Sequence, residues 1–349
     1  MVTGRGEKES VGVLSAGYFI PEGTVTAGDM AGWSGLPVSV FEEKIGVIRK
    51  HVAGPDEHPA GMGTAAARNA IAGAGIDPSL IDVVAYCSLG YTDYRFWSPA
   101  AKVQDAVGAV NAYAFEVRNG CNGGNFGLHL CRELLLGDPE KQYALVVASD
   151  KLSMVVNYGN LKTVSGFSFA DGAAAVILKK NHPGNSMLAY ASVTDGSLVD
   201  YVKVPSGGTR LPPDGPLPEV PDRYFSVTDP EALDAIFAET YLDQYGLVIR
   251  RALAASGYTT ADICFIITNQ VKRSLSRSIL EMVGLSEEQT MVTMSEYGHM
   301  GPVDTLFGLA KALEEGKIRN GDLVVLAGSA IGFTWAATVL KFHGKPGLV

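Results

Sequence analysis

Short apolar runs bounded by turn residues alternate along this chain with longer stretches of helical periodicity. Residues 81–86, 143–148, 173–178, 264–268 and 323–327 read as buried strands, most of them rich in β-branched side chains, and 112–117 reads as another. Residues 63–75, 125–136, 230–257 and 304–316 read as helices. Alternation of this kind predicts an α/β chain whose mostly parallel sheet carries helices on its faces.

The pattern repeats. Ala70-Ile71-Ala72-Gly73-Ala74-Gly75 returns as Ala252-Leu253-Ala254-Ala255-Ser256-Gly257, and Ile81-Asp82-Val83-Val84 then falls on Ile263-Cys264-Phe265-Ile266 without a gap. A second echo, with small gaps, links the helix ending at Gly137 and strand 143–147 to the helix ending at Gly316 and strand 323–326. Two echoes in one order favour duplication over a chance match of alanine-rich helices. They divide the chain into halves at 1–182 and 183–349. The same offset carries Cys121 close to His299 and Cys87 onto Asn269. Loops after equivalent strands should therefore meet at a pseudo-twofold axis, at the strand ends where open α/β sheets bind ligands. Residues 195–229 interrupt the pattern with a proline- and glycine-rich stretch. It reads as a surface excursion, either a lid or a merely solvated insertion.

Composition narrows the class. With 349 residues, 47% of them apolar and 19% charged, the chain can bury a large core. A net charge of −9 argues against a nucleic-acid partner. The four cysteines, Cys87, Cys121, Cys131 and Cys264, match no zinc spacing and are too few for a disulfide scaffold, which suits a reducing cytoplasm. The first residues, MVTGRGEKES, lack the apolar run of a signal peptide, and no stretch is long and apolar enough for a membrane span.

One cysteine stands apart. Cys121 lies in Asn119-Gly120-Cys121-Asn122-Gly123-Gly124, between strand 112–117 and helix 125–136. A thiol at such an elbow faces unpaired backbone N–H groups and the positive end of a helix dipole, both of which favour thiolate. The alternative is a small buried cysteine, as Cys131 and Cys264 are read to be. His299 occupies a second glycine-rich loop, Glu296-Tyr297-Gly298-His299-Met300-Gly301-Pro302, and can exchange a proton with Cys121 or polarise a carbonyl. Asp304 follows five residues later. On a continuous helix that spacing would point the two side chains apart, but Pro302 marks a helix start, so the loop can let Asp304 orient the imidazole. A carboxylate simply favoured at a helix N-terminus is the other reading.

Almost the whole chain resembles ketoacyl-acyl-carrier-protein synthase III, through Gly46-Val47-Ile48-Arg49-Lys50-His51, Ala114 to Val117 leading to Cys121, Tyr143 to Asp150, Phe169-Ala170-Asp171-Gly172-Ala173-Ala174 and Gly332-Phe333-Thr334-Trp335-Ala336. The resemblance implies a five-layered αβαβα thiolase fold built from two similar halves, and a homodimer. It also implies Cys121 as the nucleophile that accepts an acyl group from coenzyme A, with the backbone N–H groups of Cys121 and Ile331 as the oxyanion hole. Coenzyme A thioester enters as substrate, and no metal or redox cofactor is implied.

The departures matter as much. Where family condensing enzymes carry His-Gln-Ala-Asn, this chain has Asn269-Gln270-Val271-Lys272, and their asparagine after Tyr-Gly is His299 here. The triad becomes Cys121, Asn269 and His299, similar to a natural-product subgroup that pairs Cys or Ser with a His and an Asp spaced like His299 and Asp304. Several of its members are acyltransferases that form an ester, amide or thioester. The family's adenine-stacking tryptophan is matched by Val40, with Trp33 nearby, and its coenzyme-binding arginine by Lys44, so a carrier-protein donor is also conceivable. Phe96, beside Trp97, is placed where a partner subunit closes the acyl pocket. With Lys44 and Lys272, these two complete the candidate substrate-binding set. The expected function is acyl transfer to a small-molecule or carrier-protein acceptor. Decarboxylative condensation with a malonyl thioester, and a non-catalytic thiolase-fold partner, are the alternatives.

Overall fold

The computed structural model describes residues 9–212, 223–344 and 347–348. The polar N-terminus at 1–8 and residues 213–222 of the proline-rich excursion lie outside the described residues.

In chain order, the first half contains β1 (Val11–Phe19), β2 (Thr24–Thr26), α1 (Ala27–Ser34), β3 (Arg49–His51), α2 (Pro59–Ala74), β4 (Val83–Cys87), α3 (Pro99–Val107), β5 (Tyr113–Val117), α4 (Gly123–Gly137), β6 (Tyr143–Lys151) and β7 (Asp171–Lys180). The second half runs through β8 (Ser186–Thr194), β9 (Val202–Lys203), β10 (Ser226–Val227), α5 (Pro230–Ala255), β11 (Phe265–Thr268), α6 (Arg273–Val283), α7 (Met294–Tyr297), α8 (Asp304–Glu314), β12 (Leu323–Ala330), β13 (Thr334–Lys341) and β14 (Gly347–Leu348).

The main strands form one hydrogen-bonded path, β11-β12-β13-β8-β1-β7-β6-β4-β5. Its middle is thin: β1 meets β8 through the single pairing Gly12 with Ser186. Read outward from that joint, one side runs β1-β7-β6-β4-β5 and the other β8-β13-β12-β11, so each half puts its first strand innermost and its last long strand second, while the two-residue β14 pairs with β1. On this order we propose the division of the chain at the turn between β7 and β8. The sheet is mixed, not mostly parallel. β4 pairs in parallel with β5 and β6, and β11 with β12, but β6–β7, β7–β1, β12–β13 and β13–β8 are antiparallel. The reason is local. Only short 3₁₀ turns separate β6 from β7, and a three-residue turn separates β12 from β13. A strand that returns without a crossover helix must pair antiparallel.

Strand alternation builds the layers. Val83, Ala85 and Cys87 of β4 face one core with Phe265 and Ile267 of β11, while Val84 and Tyr86 face another. The shared central core holds Leu128, Cys131 and Leu135 of α4 and Leu306, Phe307, Leu309 and Leu313 of α8. Outside the first sheet lie Met62, Ala66 and Ala70 of α2 with Val103 of α3. Outside the second lie Val248, Ile249 and Leu253 of α5 with Ile279 and Leu280 of α6. The result is α2/α3, sheet, α4/α8, sheet, α5/α6: the five layers of a thiolase fold. Burying one leucine or phenylalanine contributes about 1.5–3 kcal/mol, so the leucines and Phe307 that α4 and α8 bury in the shared core hold both helices in place. Among the described residues no helix is long and apolar enough to cross a membrane.

Candidate active site

Cys121 and Asn269 follow the C-terminal ends of β5 and β11, and Ser329 is the penultimate residue of β12. Parallel pairing aligns the end of β5 with that of β4 and the end of β11 with that of β12, and the Cys121–His299 contact joins the two halves. Gly120 (φ +52°) permits the turn before the cysteine. A Cβ there would stand 2.8 Å from Ala330 Cβ and 3.1 Å from the Ile331 carbonyl oxygen, so only glycine lets the Cys121 elbow approach the 328–331 loop. Helix α4 begins two residues after Cys121, so the cysteine immediately precedes the positive end of the helix dipole.

Cys121 Sγ lies 3.4 Å from His299 Nε2, and His299 Nδ1 lies 2.5 Å from Asp304 Oδ2. The five residues between His299 and Asp304 are not helical throughout. A 3₁₀ turn over Gly301–Val303 folds them back, and α8 begins at Asp304 itself. The carboxylate is fully buried and also accepts from the backbone N–H groups of Gln270 (2.6 Å) and Met300 (2.8 Å). It is thus fixed by three donors and by the rigid helix that carries it. Burial alone would pull the His299 pKa down. The Asp304 carboxylate first, and then the charge Cys121 carries when ionised, outweigh burial and hold it up at about 10.

Asn269 is buried close by, but its recorded hydrogen bonds serve the neighbouring loop. Its Nδ2 donates to the Ser329 carbonyl (2.9 Å), and its Oδ1 accepts from the Ser329 N–H (3.1 Å) and the Tyr245 hydroxyl (2.7 Å). Ser329 Oγ meets the hydroxyls of Tyr241 and Tyr245, both from α5. Burial pushes both phenols' pKa up, and the charge of Cys121 adds to each rise. Tyr241, Tyr245 and Ser329 escaped the sequence reading. The only signal was two tyrosines four residues apart, which share a helix face.

The remaining candidates sit apart from this chain of contacts. Lys44 and Lys272 are exposed, the latter at the residue before α6. Phe96 is fully exposed with φ +51°, and Trp97 packs edge-on against Tyr94. Trp33 is exposed and lies against Tyr158, while Val40 opens a short π-helical turn. Ile331 is placed beside Gly120 by the contacts above.

Two stretches of the chain match family models. Residues 115–196 match 3-oxoacyl-[acyl-carrier-protein] synthase III, and residues 253–342 match its C-terminal domain. The β-ketoacyl-[acyl-carrier-protein] synthase III of Roseiflexus castenholzii is 28% identical over 93% of this chain and 96% of its own. That of Symbiobacterium thermophilum is 28% identical over 95% and 98%. Among solved structures, the priming β-ketosynthase of the R1128 polyketide pathway superposes with a TM-score of 0.85 at 20% identity, covering 99% of this chain and all of that one. The 3-oxoacyl-[acyl-carrier-protein] synthase III of Aquifex aeolicus gives 0.83 at 22%, covering 95% of this chain and all of its own.

Proposed function

We propose that this chain, similar to β-ketoacyl-[acyl-carrier-protein] synthase III, loads an acyl group onto Cys121 and passes it to a nucleophilic acceptor without condensation. The Cys121–His299–Asp304 contact chain carries this reading. In the free enzyme the imidazolium is held between carboxylate and sulfur. Thiolate attacks the acyl thioester, and the oxyanion is held by the N–H groups of Cys121 and Ile331. The donor's C–S bond breaks, and His299 gives its proton to the leaving thiolate. His299 is then neutral. It takes the proton of an alcohol, amine or thiol acceptor as that group attacks the acyl carbon, and Cys121 thiolate leaves to pair again with the imidazolium. Decarboxylative condensation asks instead for two side-chain donors on an enolate oxygen, whereas the recorded donation of Asn269 Nδ2 goes to the Ser329 carbonyl and its Oδ1 is held by Tyr245 and the Ser329 N–H.

The donor is an acyl-coenzyme A or acyl carrier protein, the acceptor a small molecule or carrier protein, and the setting natural-product biosynthesis in the cytoplasm. The reaction as written uses only groups of this chain, the thioester and the acceptor. The test is to incubate the acylated enzyme with acceptors and, separately, with a malonyl thioester. Transfer without carbon dioxide release supports the reading; efficient release of carbon dioxide with a ketoacyl product restores the condensing one.

The same scheme makes a spectroscopic prediction. Acylation removes the Cys121 charge, one of the causes holding the His299 pKa up. Capping Cys121 with the neutral carbamidomethyl group should therefore lower the pH at which His299 loses its proton. ¹⁵N-histidine NMR should find imidazolium up to about pH 10 in the free enzyme and a clearly lower transition after capping. Identical titrations would show that sulfur and imidazole are not coupled.

The expected homodimer we place at the free edge of β5, the last strand of the sheet, where Val110, Tyr113 and Phe96 are exposed. Val110→Lys with Tyr113→Lys should yield monomers in sedimentation velocity where the unaltered chain sediments as a dimer.

A further inference from the structure

We infer that Lys50 is a positioning residue for His299, holding from behind the backbone ledge on which the histidine loop is seated. The inference rests on the reading of Cys121 and His299 as a reacting pair.

Lys50 is the middle residue of β3 and its side chain is fully buried. Its Nζ donates to the carbonyl oxygens of Phe167 (2.8 Å) and Phe169 (2.5 Å). The backbone groups between and after these carbonyls serve the histidine. Ser168 O accepts from the His299 N–H (2.8 Å), and the Ala170 N–H donates to His299 O (2.9 Å). Segment 167–170 is therefore a ledge with Lys50 on one edge and His299 on the other. The Phe169 ring adds a wall, its centroid 5.6 Å from that of the imidazole.

The rest of β3 and the residue before it follow the same loop. Ile48 N–H donates to Ser295 O (2.8 Å), Arg49 pairs with Glu296 (2.7 Å), and the His51 ring stacks on Tyr297 at 5.3 Å. At Gly298 (φ +73°) an added Cβ would stand 2.6 Å from Ser168 O and 2.9 Å from Lys50 Cβ, so strand, ledge and loop are in contact with no side chain between them. Asp171 and the Tyr158 ring are the charged and titratable groups facing the ammonium; its Nζ lies 5.4 Å from that ring centroid. Burial pulls the Lys50 pKa down to about 7 against the support of Asp171. Such a cost to a cation in the core needs a return, and the two carbonyls are where its hydrogen bonds go. Without Nζ both carbonyls are buried acceptors with a donor lost, and the ledge is free to shift. The imidazole must stay within 3.4 Å of sulfur and 2.5 Å of carboxylate, so a shift of about an ångström is enough to uncouple it.

The experiment reads the Cys121–His299 pair directly, by iodoacetamide alkylation of Cys121 in the full chain from pH 6 to 10, with thermal melts to establish folding. Lys50→Met should slow alkylation at pH 6 by about tenfold and little at pH 10, because imidazolium support for thiolate matters most where thiolate is scarce. Lys50→Arg, which keeps the donors, should stay within about threefold of the unaltered chain. Lys50→Met combined with His299→Ala should match His299→Ala alone, since the lysine acts through the histidine. Lys50→Gln keeps a neutral N–H donor on a shorter stem and serves if methionine prevents folding, with a loss of about three- to fivefold expected. A folded Met or Gln variant with an unaltered pH profile, or losses that multiply with those of His299→Ala, overturns the inference. Lys50-dependent alkylation in an enzyme that transfers no acyl group would refute the function proposed above and leave the positioning role standing. Transfer indifferent to Lys50 would do the reverse.

Discussion

Replacing Cys121 by alanine is expected to abolish covalent acyl loading and to lower turnover by about ten-thousandfold or more, the scale seen when a nucleophile is removed from an otherwise intact site. Several features single out this sulfur. It follows a strand end, stands before the N-terminus of α4, and is 3.4 Å from an imidazole held in its charged form. The other cysteines lack that setting. Cys87 and Cys131 are buried in the central core, where burial pushes the Cys87 thiol well up and the Cys131 thiol to about 12. Cys264 lies partly exposed at the start of β11, against the Asp262 carbonyl. Intact-mass measurement after incubation with a panel of acyl thioesters should show one adduct, and peptide mapping should place it on Cys121. An adduct of the same size on the alanine variant would remove the central claim.

The sequence carried this part of the site because its signals are local. A strand, a glycine-flanked thiol and a helix lie within 25 residues, and the internal repeat pointed to the loop of His299, 178 positions away. The Asp304 contact was harder, because its spacing has meaning only once the 3₁₀ turn at Gly301–Val303 is known. Periodicity found α2, α4, α5 and α8 and the central strands, but not the shorter helices α1, α3, α6 and α7. It missed β1, β8 and β13, whose small residues Gly12, Ala16, Gly17, Ala189, Ala191, Ala336 and Ala337 blur the apolar pattern, and these strands turn a mostly parallel sheet into a mixed one. The Tyr241–Ser329–Tyr245–Asn269 cluster and the Lys50 brace were not legible. Each joins elements far apart in the chain, and a lysine or serine in a sequence does not announce that it is buried.

Removing the imidazole should separate the two half-reactions. In His299→Ala the thiolate loses its partner but the N–H groups around it remain, so loading should fall by only about tenfold. Transfer should fall much further, by about a hundred- to ten-thousandfold, because the imidazole in contact with the sulfur is the group that takes the acceptor's proton. A hundredfold loss corresponds to about 2.7 kcal/mol of transition-state stabilisation. Asp304→Asn keeps the position but weakens the grip on Nδ1, and should lie between the histidine variant and the unaltered enzyme. The asparagine variant separates transfer from condensation. If Asn269 braces the 328–331 loop, Asn269→Ala slows loading and transfer alike, by about tenfold, through misplacement of the Ile331 N–H. If Asn269 instead binds an enolate, its loss spares loading and removes carbon dioxide release from a malonyl thioester. Rapid-quench mass spectrometry resolves the acyl-enzyme from its product and so measures the two rates separately. Equal losses of loading and transfer in His299→Ala would mean the imidazole serves the thiolate alone. Loss of malonyl decarboxylation in Asn269→Ala, with loading intact, would return the chain to the condensing enzymes.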